Sequence, residues 1–359
     1  MAAYHQTVVG SKVRGFKGSR VLRILPATLA MVVALLVVGV DLSGRTLEPS
    51  NPRTLGPSNT RTLEPTRIIS LVPAVTEILF AIGAGNEVVG VSSFDTFPPE
   101  VTSRARVGAL IDPDVERILS LKPDLVVVYG SQSELMARLE RVRIPTFRYA
   151  HAGLADITTT IRSLGQRLER GAQAEALASR IERDLEAIRR SVAGKRRPRT
   201  ALLFEREPGT LRNIYASGGV GFMHDMLEAA GGEDVFADVK RQSLQASAEL
   251  LLTRGPEVIV EIQTWERWPA ERIARERDVW KTLPALPAVR SGRIHLLQDE
   301  RLSIPGPRVA DAVKLLVGVL HPAQPARSQA NSGVILVGTS PLSKDSEKKR
   351  SSAALPRLP

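Results

Sequence analysis

The first half of the chain alternates short apolar runs with segments in which apolar residues recur every three or four positions. The helical spacing predicts helices over 74–82 and 115–121, the second introduced by Asp112-Pro113. Alternation of buried strands with helices predicts an α/β layer on a parallel sheet. The apolar runs that predict buried strands are 68–71, 88–91, 125–129 and 146–149.

The longest helical pattern runs from Leu154 to about Val192 and contains no strand signal. Its apolar residues follow at steps of three and four, the spacing of one face of an amphipathic helix. At about 1.5 Å per residue, such a helix would reach roughly 50 Å. Gly165 and Gly171 count against an unbroken rod, but the pattern as a whole predicts one long linking helix.

A second alternating region follows and repeats the α/β layer of the first half. Its predicted strands are 201–204, 258–262 and 293–297, and its predicted helices are 222–230, 248–253 and 309–320.

Two segments, one in each half of the chain, share one pattern: a Glu at a helix start, a proline seven positions later, an acid and then a buried strand. They begin at Glu116 and Glu249, and we call the interval between these two positions the repeat interval. This internal repeat predicts two similar lobes related by an approximate two-fold axis. We therefore predict an α/β fold with two parallel-sheet lobes, one long α-helix joining them and a ligand cleft between the lobes.

The N-terminal end has five Lys or Arg and no acid before an apolar run at 24–40. A basic segment before about 17 apolar residues is typical of an export signal or a short membrane anchor. Because no A-x-A cleavage site follows, we favour a retained anchor, with the rest of the chain outside the cytoplasm. A cleaved signal and a buried core helix are the alternatives.

Three copies of an eight-residue repeat, each with a proline, begin at Arg45, Arg53 and Arg61 and predict an extended spacer. The segment after His321 is rich in Ser, Ala, Pro and Lys and predicts a disordered tail. The predicted organisation is a signal or anchor at 1–40, a linker at 41–66, an N-terminal lobe at 67–150, a linking helix at 151–197, a C-terminal lobe at 198–321 and a tail at 322–359.

The net charge of +11 comes almost entirely from the two ends of the chain. Residues 1–66 carry +5 and residues 322–359 carry +4, which leaves +2 for the 255 residues between them. A nearly neutral folded region argues against nucleic-acid binding through a basic face. The absence of cysteine excludes disulfides, cysteine-ligated metals and a thiol nucleophile.

No arrangement of residues indicates catalysis. The glycine-rich segment 218–221 lacks the Lys-Ser/Thr of a phosphate loop and the spacing of a dinucleotide fingerprint. There is no G-x-S-x-G elbow. His151, His224 and His295 have no metal-ligand spacing, so we predict neither a metal site nor an enzyme.

Bulky, hydroxyl and a few charged side chains follow the predicted strands. Ligands of open α/β sheets bind outside the carboxyl ends of strands, and two lobes facing each other there would form an apolar cleft with a few polar groups. The alternative is that these residues only cap strands. The candidate ligand-binding residues are Pro73, Ala74, Phe94, Tyr129, Tyr215, Ser217, Trp265, Trp268, Glu300, Arg301 and Arg308.

Five sequence blocks in order carry a family resemblance: Arg67 to Leu79, Val89 to Phe94, Val107-Gly108, Glu116 to Val126 and Pro305 to Arg308. Over about residues 67–320 the chain resembles the substrate-binding proteins of iron-siderophore, heme and vitamin B12 ABC importers, most closely the vitamin B12-binding type. The resemblance implies two α/β lobes joined by a single long helix, as the patterns above predict.

The resemblance also implies residue roles. In that family one glutamate on each lobe docks on arginines of a dimeric permease, and the matching residues are Glu116 and Glu249. The alternative is that each Glu only favours the positive end of its helix. Relatives of the vitamin B12 type line their cleft with aromatic residues, and the positions that match here are Phe94, Leu110, Tyr129 and Tyr215.

These implications give one leading hypothesis, an exported and tethered solute-binding protein that delivers a corrinoid to an ABC importer permease dimer. It would need no cofactor, and its stiff linking helix predicts small lobe movements. Because Leu110 replaces an expected aromatic residue, a ferric siderophore or heme is the alternative ligand. A surface sensor that kept the fold but lost transport is the second hypothesis, and an extracytoplasmic hydrolase is the third.

Overall fold

The structure is a computed structural model that describes residues 65–150, 152–264 and 266–322. The predicted signal or anchor, residues 41–64 of the predicted linker and the tail from residue 323 lie outside the described residues, as do His151 and Trp265. Within the described part of the chain, no helix is long and apolar enough to cross a membrane.

The first lobe is built on five strands in the order β3-β2-β1-β4-β5, and every pairing is parallel. The central strand β1 is buried along its whole length, as expected when helices cover both faces of a parallel sheet. The elements are β1 (Ile68–Ser70), α1 (Pro73–Ala81), β2 (Val88–Val91), β3 (Ala105–Arg106), α2 (Val115–Ser120), β4 (Leu125–Tyr129), α3 (Ser133–Arg141) and β5 (Thr146–Tyr149).

The predicted single helix over 151–197 is wrong in one respect, because the segment folds into two helices that pack on each other. These are α4 (Leu154–Arg167) and α5 (Gly171–Val192). The Arg162 side chain in α4 binds Glu175 at 2.8 Å and Glu182 at 2.6 Å, both in α5, so the pair forms a helical hairpin. Helix α5 leads into the second lobe and is the linking helix.

Two local features explain the hairpin. Glu169 lies in the left-handed region at φ 52°, which ends α4, and Arg170 donates its backbone N–H to the Gly165 carbonyl. A Cβ atom at Gly165 would lie 2.2 Å from the Ala174 Cβ, so only glycine lets the two helices approach this closely.

The second lobe has a mixed sheet with the strand order β11-β10-β6-β7-β9, in which β8 pairs with β6. Its elements are β6 (Arg199–Glu205), β7 (Ile214–Ser217), α6 (Phe222–Ala229), β8 (Glu233–Asp234), β9 (Ser243–Ala246), α7 (Ala248–Arg254), β10 (Val258–Ile262), α8 (Ala270–Asp278), α9 (Pro287–Arg290), β11 (Ile294–Leu297) and α10 (Val309–Leu320).

The expectation of a parallel sheet in this lobe needs a correction at one strand. β10 is parallel to β6 and β11, but β7 is antiparallel to both β6 and β9. Only residues 206–213 separate β6 from β7. A crossover between adjacent parallel strands needs a dozen or more residues, so this connection can form only an antiparallel pair.

One apolar cluster joins the two lobes through the helical hairpin. Its buried members include Ile78 in the first lobe, Ile161 and Ile181 in the hairpin, and Val260 and Val313 in the second lobe. Removal of this surface from water is the main force that holds the lobes against the hairpin. Separate clusters fill the other face of each sheet.

Candidate ligand-binding and docking sites

The loops at the carboxyl ends of β1 and β2 contain the first predicted ligand residues. Pro73 and Ala74 form the first turn of α1 and are buried, so little of either side chain faces solvent. Phe94 is half-buried, and its backbone N–H donates to the Ser92 hydroxyl at 3.2 Å. Of these three predicted ligand residues, Phe94 is the one that is partly exposed.

Leu110 and Tyr129 are tied together by Gln132, which the sequence did not single out. The Gln132 side chain accepts a hydrogen bond from the Tyr129 backbone N–H at 2.9 Å and donates one to the Leu110 carbonyl at 3.0 Å. The Tyr129 ring meets Tyr149 edge-on at 6.0 Å between centroids. Leu110 and Tyr129 are both half-buried, and Gln132 holds the backbone of each near the end of β4.

Asp95 is a buried carboxyl group near Tyr129, only 2% exposed. Neither of its oxygens has a hydrogen-bond partner of full geometry among the described residues. Burial raises the pKa of Asp95 to about 7, and the nearby Thr76 hydroxyl opposes the shift only in part. Burial, together with the charge of Asp95, raises the pKa of Tyr129 well above its usual range, so the phenol keeps its proton.

Two predicted ligand residues of the second lobe instead reach across to the first lobe. The Arg308 guanidinium binds Glu77 with two nitrogens, one at 2.9 Å, and also binds Glu300 at 2.9 Å. Glu300 in turn accepts a hydrogen bond from the Thr96 hydroxyl. We call Glu77, Thr96, Glu300 and Arg308 the interlobe bridge.

Within the interlobe bridge, Glu77 and Arg308 are largely shielded from water, whereas Thr96 is exposed. The Glu77 side chain is 3% exposed and that of Arg308 is 20% exposed, and the guanidinium also lies 4.0 Å from the centre of the Phe97 ring. Burial raises the pKa of Glu77 even though Arg308 acts in the opposite direction. Arg301, also a predicted ligand residue, pairs within its own loop with Asp299, at 2.6 Å.

The second lobe contributes Tyr215, Ser217 and Trp268 from the predicted set. The Tyr215 ring lies 6.3 Å from Phe204, and both Tyr129 and Tyr215 pack on the apolar cluster that joins the lobes. Ser217 is fully buried, and its hydroxyl donates to the Gly218 carbonyl. Its hydroxyl is therefore not presented to solvent.

Trp268 borders a small cavity at the carboxyl edge of the second sheet. The cavity measures about 30 Å³, enough for a water molecule, and is also lined by Glu205, Ile262 and Leu296. The Trp268 ring stacks on the Arg272 guanidinium at 4.3 Å, and its indole N–H donates to Glu266 at 3.0 Å. The ring is therefore held in place by a cation–π contact.

The internal repeat predicted from Glu116 and Glu249 is present in the structure with the same repeat interval. Asp114 and Ser247 are the N-caps of α2 and α7, and the side chain of each accepts a backbone hydrogen bond from the residue three positions on. Strands β4 and β10 also begin and end at this interval. Each lobe therefore contains the same helix–strand unit.

Each helix–strand unit is also joined to the first strand of its sheet by the same pattern of hydrogen bonds. The guanidinium groups of Arg67 and Arg199, which stand at the starts of β1 and β6, donate to the carbonyls of Leu121 and Arg254 near the ends of α2 and α7. Their backbone N–H groups donate to the acids before β4 and β10, Asp124 and Glu257. The match extends from sequence spacing to hydrogen bonding.

Both repeated glutamates lie on the surface. Glu116 and Glu249 are exposed in the first turns of α2 and α7, and neither forms an ion pair with another described residue. A hydrogen bond from the Ser247 hydroxyl lowers the pKa of Glu249, so its carboxylate is charged at neutral pH. The two lobes present equivalent, unpaired negative charges.

Residues 68–300 match the periplasmic binding protein family, which is more than half of the chain. The chain belongs to this family. A vitamin B12-binding protein of Salmonella typhimurium is 30% identical over 255 residues, which cover 70% of this chain and 89% of that protein. The predicted family resemblance is confirmed.

Two solved structures extend the likeness to the fold. The periplasmic vitamin B12-binding protein BtuF of Vibrio cholerae has a TM-score of 0.61 and 27% identity, over 72% of this chain and 97% of that one. The periplasmic heme-binding protein RhuT of Roseiflexus has a TM-score of 0.61 and 28% identity, over 71% and 97%. The fold is thus shared with binding proteins for different ligands.

Membership of the periplasmic binding protein family fixes the general role of the chain. It is a substrate-binding protein of the ABC importer class, which works outside the cytoplasm, takes a small molecule as ligand and has a permease as partner. The prediction that it is not an enzyme is confirmed by the family, whose members bind solutes.

Proposed function

We propose that this binding protein captures a corrinoid of the vitamin B12 type between its lobes and delivers it to the permease of an ABC importer. The observation that carries the proposal is the 30% identity to the vitamin B12-binding protein of Salmonella typhimurium across 89% of its length. An N-terminal anchor formed by residues 24–40 would keep the protein at the membrane surface.

The chemistry of the candidate cleft supports a large, mostly neutral ring system. Phe94, Leu110, Tyr129 and Tyr215 offer half-buried apolar and aromatic surface, on which a flat macrocycle can stack. Glu300 of the interlobe bridge, whose side chain is 33% exposed, adds a carboxylate nearby, which can accept hydrogen bonds from amide groups such as those on the edge of a corrin ring.

Heme is the second candidate ligand, and the similarity to the Roseiflexus heme-binding structure favours it. One feature counts against heme. The carboxylates of Glu77 and Glu300 disfavour the two heme propionates, because the nearby Arg308 is already paired with both of them.

Calorimetric titration of the purified full chain tests the ligand assignment. Cyanocobalamin, cobinamide, heme and a ferric hydroxamate siderophore are added separately to the same preparation. We expect binding of cyanocobalamin and cobinamide at least tenfold tighter than that of heme. Binding of heme or the siderophore alone would overturn the corrinoid assignment and leave the family membership intact.

We further propose that Glu116 and Glu249 dock on the permease dimer. Equivalent charges on two similar lobes suit a partner with two-fold symmetry, and both carboxylates are exposed and unpaired within the described residues. The double change Glu116→Arg and Glu249→Arg should abolish corrinoid uptake in cells while ligand binding stays unchanged. Unchanged uptake would instead support the surface-sensor hypothesis.

A further inference from the structure

Six large apolar side chains are exposed in the part of the chain that the structure describes, and two of them occupy equivalent positions. Leu119 in α2 and Leu252 in α7 are separated by the repeat interval, and each is 38% exposed. The other four are Phe97, Ile111, Val142 and Val220, and no two of them are related by this interval.

Each leucine lies one helical turn after a proposed docking glutamate. Glu116 and Leu119 are three positions apart in α2, as are Glu249 and Leu252 in α7, and residues at this spacing lie on the same helix face. Ile118 and Leu251, the residues just before the leucines, point to the core and are fully buried. The leucines are thus on the outward side of their helices, with the glutamates.

An exposed leucine needs no explanation when it stands alone. Here an exposed leucine lies beside an unpaired glutamate in both lobes. The two helices also share a side-chain hydrogen bond at the N-cap and an arginine hydrogen bond near the helix end. Other equivalent positions of the two units carry different residues, such as Lys122 and Gly255, which share a left-handed backbone but not a side chain. A shared contact would explain why these two surface positions carry the same residues in both lobes.

We infer that Leu119 with Glu116, and Leu252 with Glu249, form two equivalent docking patches for a two-fold symmetric partner. Each half of that partner would offer a cationic side chain next to an apolar recess, so that the carboxylate pairs with the cation while the leucine enters the recess. The inference rests on the proposed function, which makes the permease dimer the partner, and it adds an apolar contact to the ionic one.

The two kinds of contact differ in their response to salt. An ion pair at an exposed site weakens as ionic strength rises, whereas burial of a leucine side chain does not. Loss of one leucine contact should weaken docking about tenfold, because complete burial of such a side chain is worth roughly one tenfold step or more in affinity. The slope of affinity against salt should stay as in the wild type.

The experiment measures docking of the full chain, loaded with cyanocobalamin, on the cobalamin permease dimer of the same organism in nanodiscs. Affinity is measured at several salt concentrations for the wild type, Leu119→Ser, Leu252→Ser and the double variant. Val142→Ser is the matched control, since Val142 is 51% exposed and the repeat interval relates it to Arg275 rather than to an apolar residue. Leu119→Met with Leu252→Met should restore docking because it keeps an apolar side chain.

We expect the double serine variant to dock about 100-fold more weakly, with unchanged salt dependence and unchanged binding of cyanocobalamin. Docking equal to that of the wild type would overturn the inference while the proposed function stands. A wild-type chain that binds cyanocobalamin but does not dock would overturn both docking proposals. A wild-type dimer in light scattering that the serine changes dissociate would also overturn it, because the occupant would be a second copy of the chain.

Discussion

At the scale of residues, two carboxyl groups near the candidate cleft are buried, one with a counter-ion and one without. Glu77 is buried against a counter-ion, Arg308, that comes from the other lobe. Asp95 is buried and forms no ion pair within the described residues, and burial raises its pKa to about 7. The first arrangement links the lobes, and the second makes the stability of the first lobe depend on pH.

The change Asp95→Asn tests the second arrangement. The folded-state pKa of about 7 lies above the unfolded value of 3.8, so the contribution of Asp95 to stability is greatest below about pH 4 and is lost as the pH rises through 7. Asn cannot ionise, so the variant should lose this dependence and be more stable than the wild type at pH 8, by up to about 4 kcal/mol. Urea unfolding at pH 5 and pH 8 measures the difference, and parallel pH profiles for the two proteins would contradict it.

The interlobe bridge makes a prediction about Arg308. The change Arg308→Met leaves Glu77 buried without its partner and should lower the free energy of unfolding by about 3–5 kcal/mol. The double variant with Glu77→Gln should recover part of this loss. Arg301→Met is the control, because the ion pair of Arg301 in the described part of the chain is with Asp299 in its own loop, and the change should cost less than about 1 kcal/mol. Equal losses of unfolding free energy for the two arginine variants in urea would contradict the prediction that the interlobe bridge stabilises the fold more than the Arg301–Asp299 pair does.

At the scale of elements, the helical hairpin is the part of the fold that the sequence pattern described least well. Leu168 is buried, and the turn between α4 and α5 takes only three residues, so the steps of three and four continue through it. Periodicity reports which face of a helix is buried and not whether the chain reverses. Gly165 and Gly171 were the only signals of a break.

The change Gly165→Ala should disturb the hairpin, because the new Cβ would lie 2.2 Å from the Cβ of Ala174 and would push α4 and α5 apart. We expect a loss of about 1–3 kcal/mol in the free energy of unfolding. Gly318→Ala in the interior of α10 is the matched control, since nothing lies within 4 Å of its new Cβ, and it should stabilise by about 0.5–1 kcal/mol. Thermal unfolding that ranks the two variants in the opposite order would refute this account of the hairpin.

Other elements were predicted well where a strong local signal exists. Helix α10 and strand β10 match their predicted bounds of 309–320 and 258–262, since α10 has apolar residues at helical spacing, β10 is a buried and mostly apolar run, and polar residues flank both. Strand β7 was missed because its four residues, Ile214 to Ser217, are too few to establish an alternating pattern. Its direction depends on the length of the preceding loop.

Only those residues of the candidate site whose position follows from local sequence could be predicted. Position after a strand was enough to suggest Phe94 and Tyr129. The roles of Gln132 and Glu77 could not be found this way, because the first depends on a contact with Leu110 and the second on an arginine 231 residues away. The repeat was an exception, since its interval is visible in the sequence and recurs in the structure.

At the scale of the whole molecule, three features join the lobes: the linking helix α5, the shared apolar cluster and the interlobe bridge. A protein tied at so many points should hinge little when a ligand enters. Small-angle scattering of the full chain should give nearly the same radius of gyration with and without cyanocobalamin. A large decrease on binding would indicate closure of the lobes and would refute this rigidity.

The central claim is that a corrinoid lies between the two lobes and contacts both. A crystal structure of the chain with cyanocobalamin tests it most directly. The account predicts a corrin ring in contact with Tyr129 of the first lobe and Tyr215 of the second. Cyanocobalamin bound to one lobe alone, or outside the space between the lobes, would contradict the account.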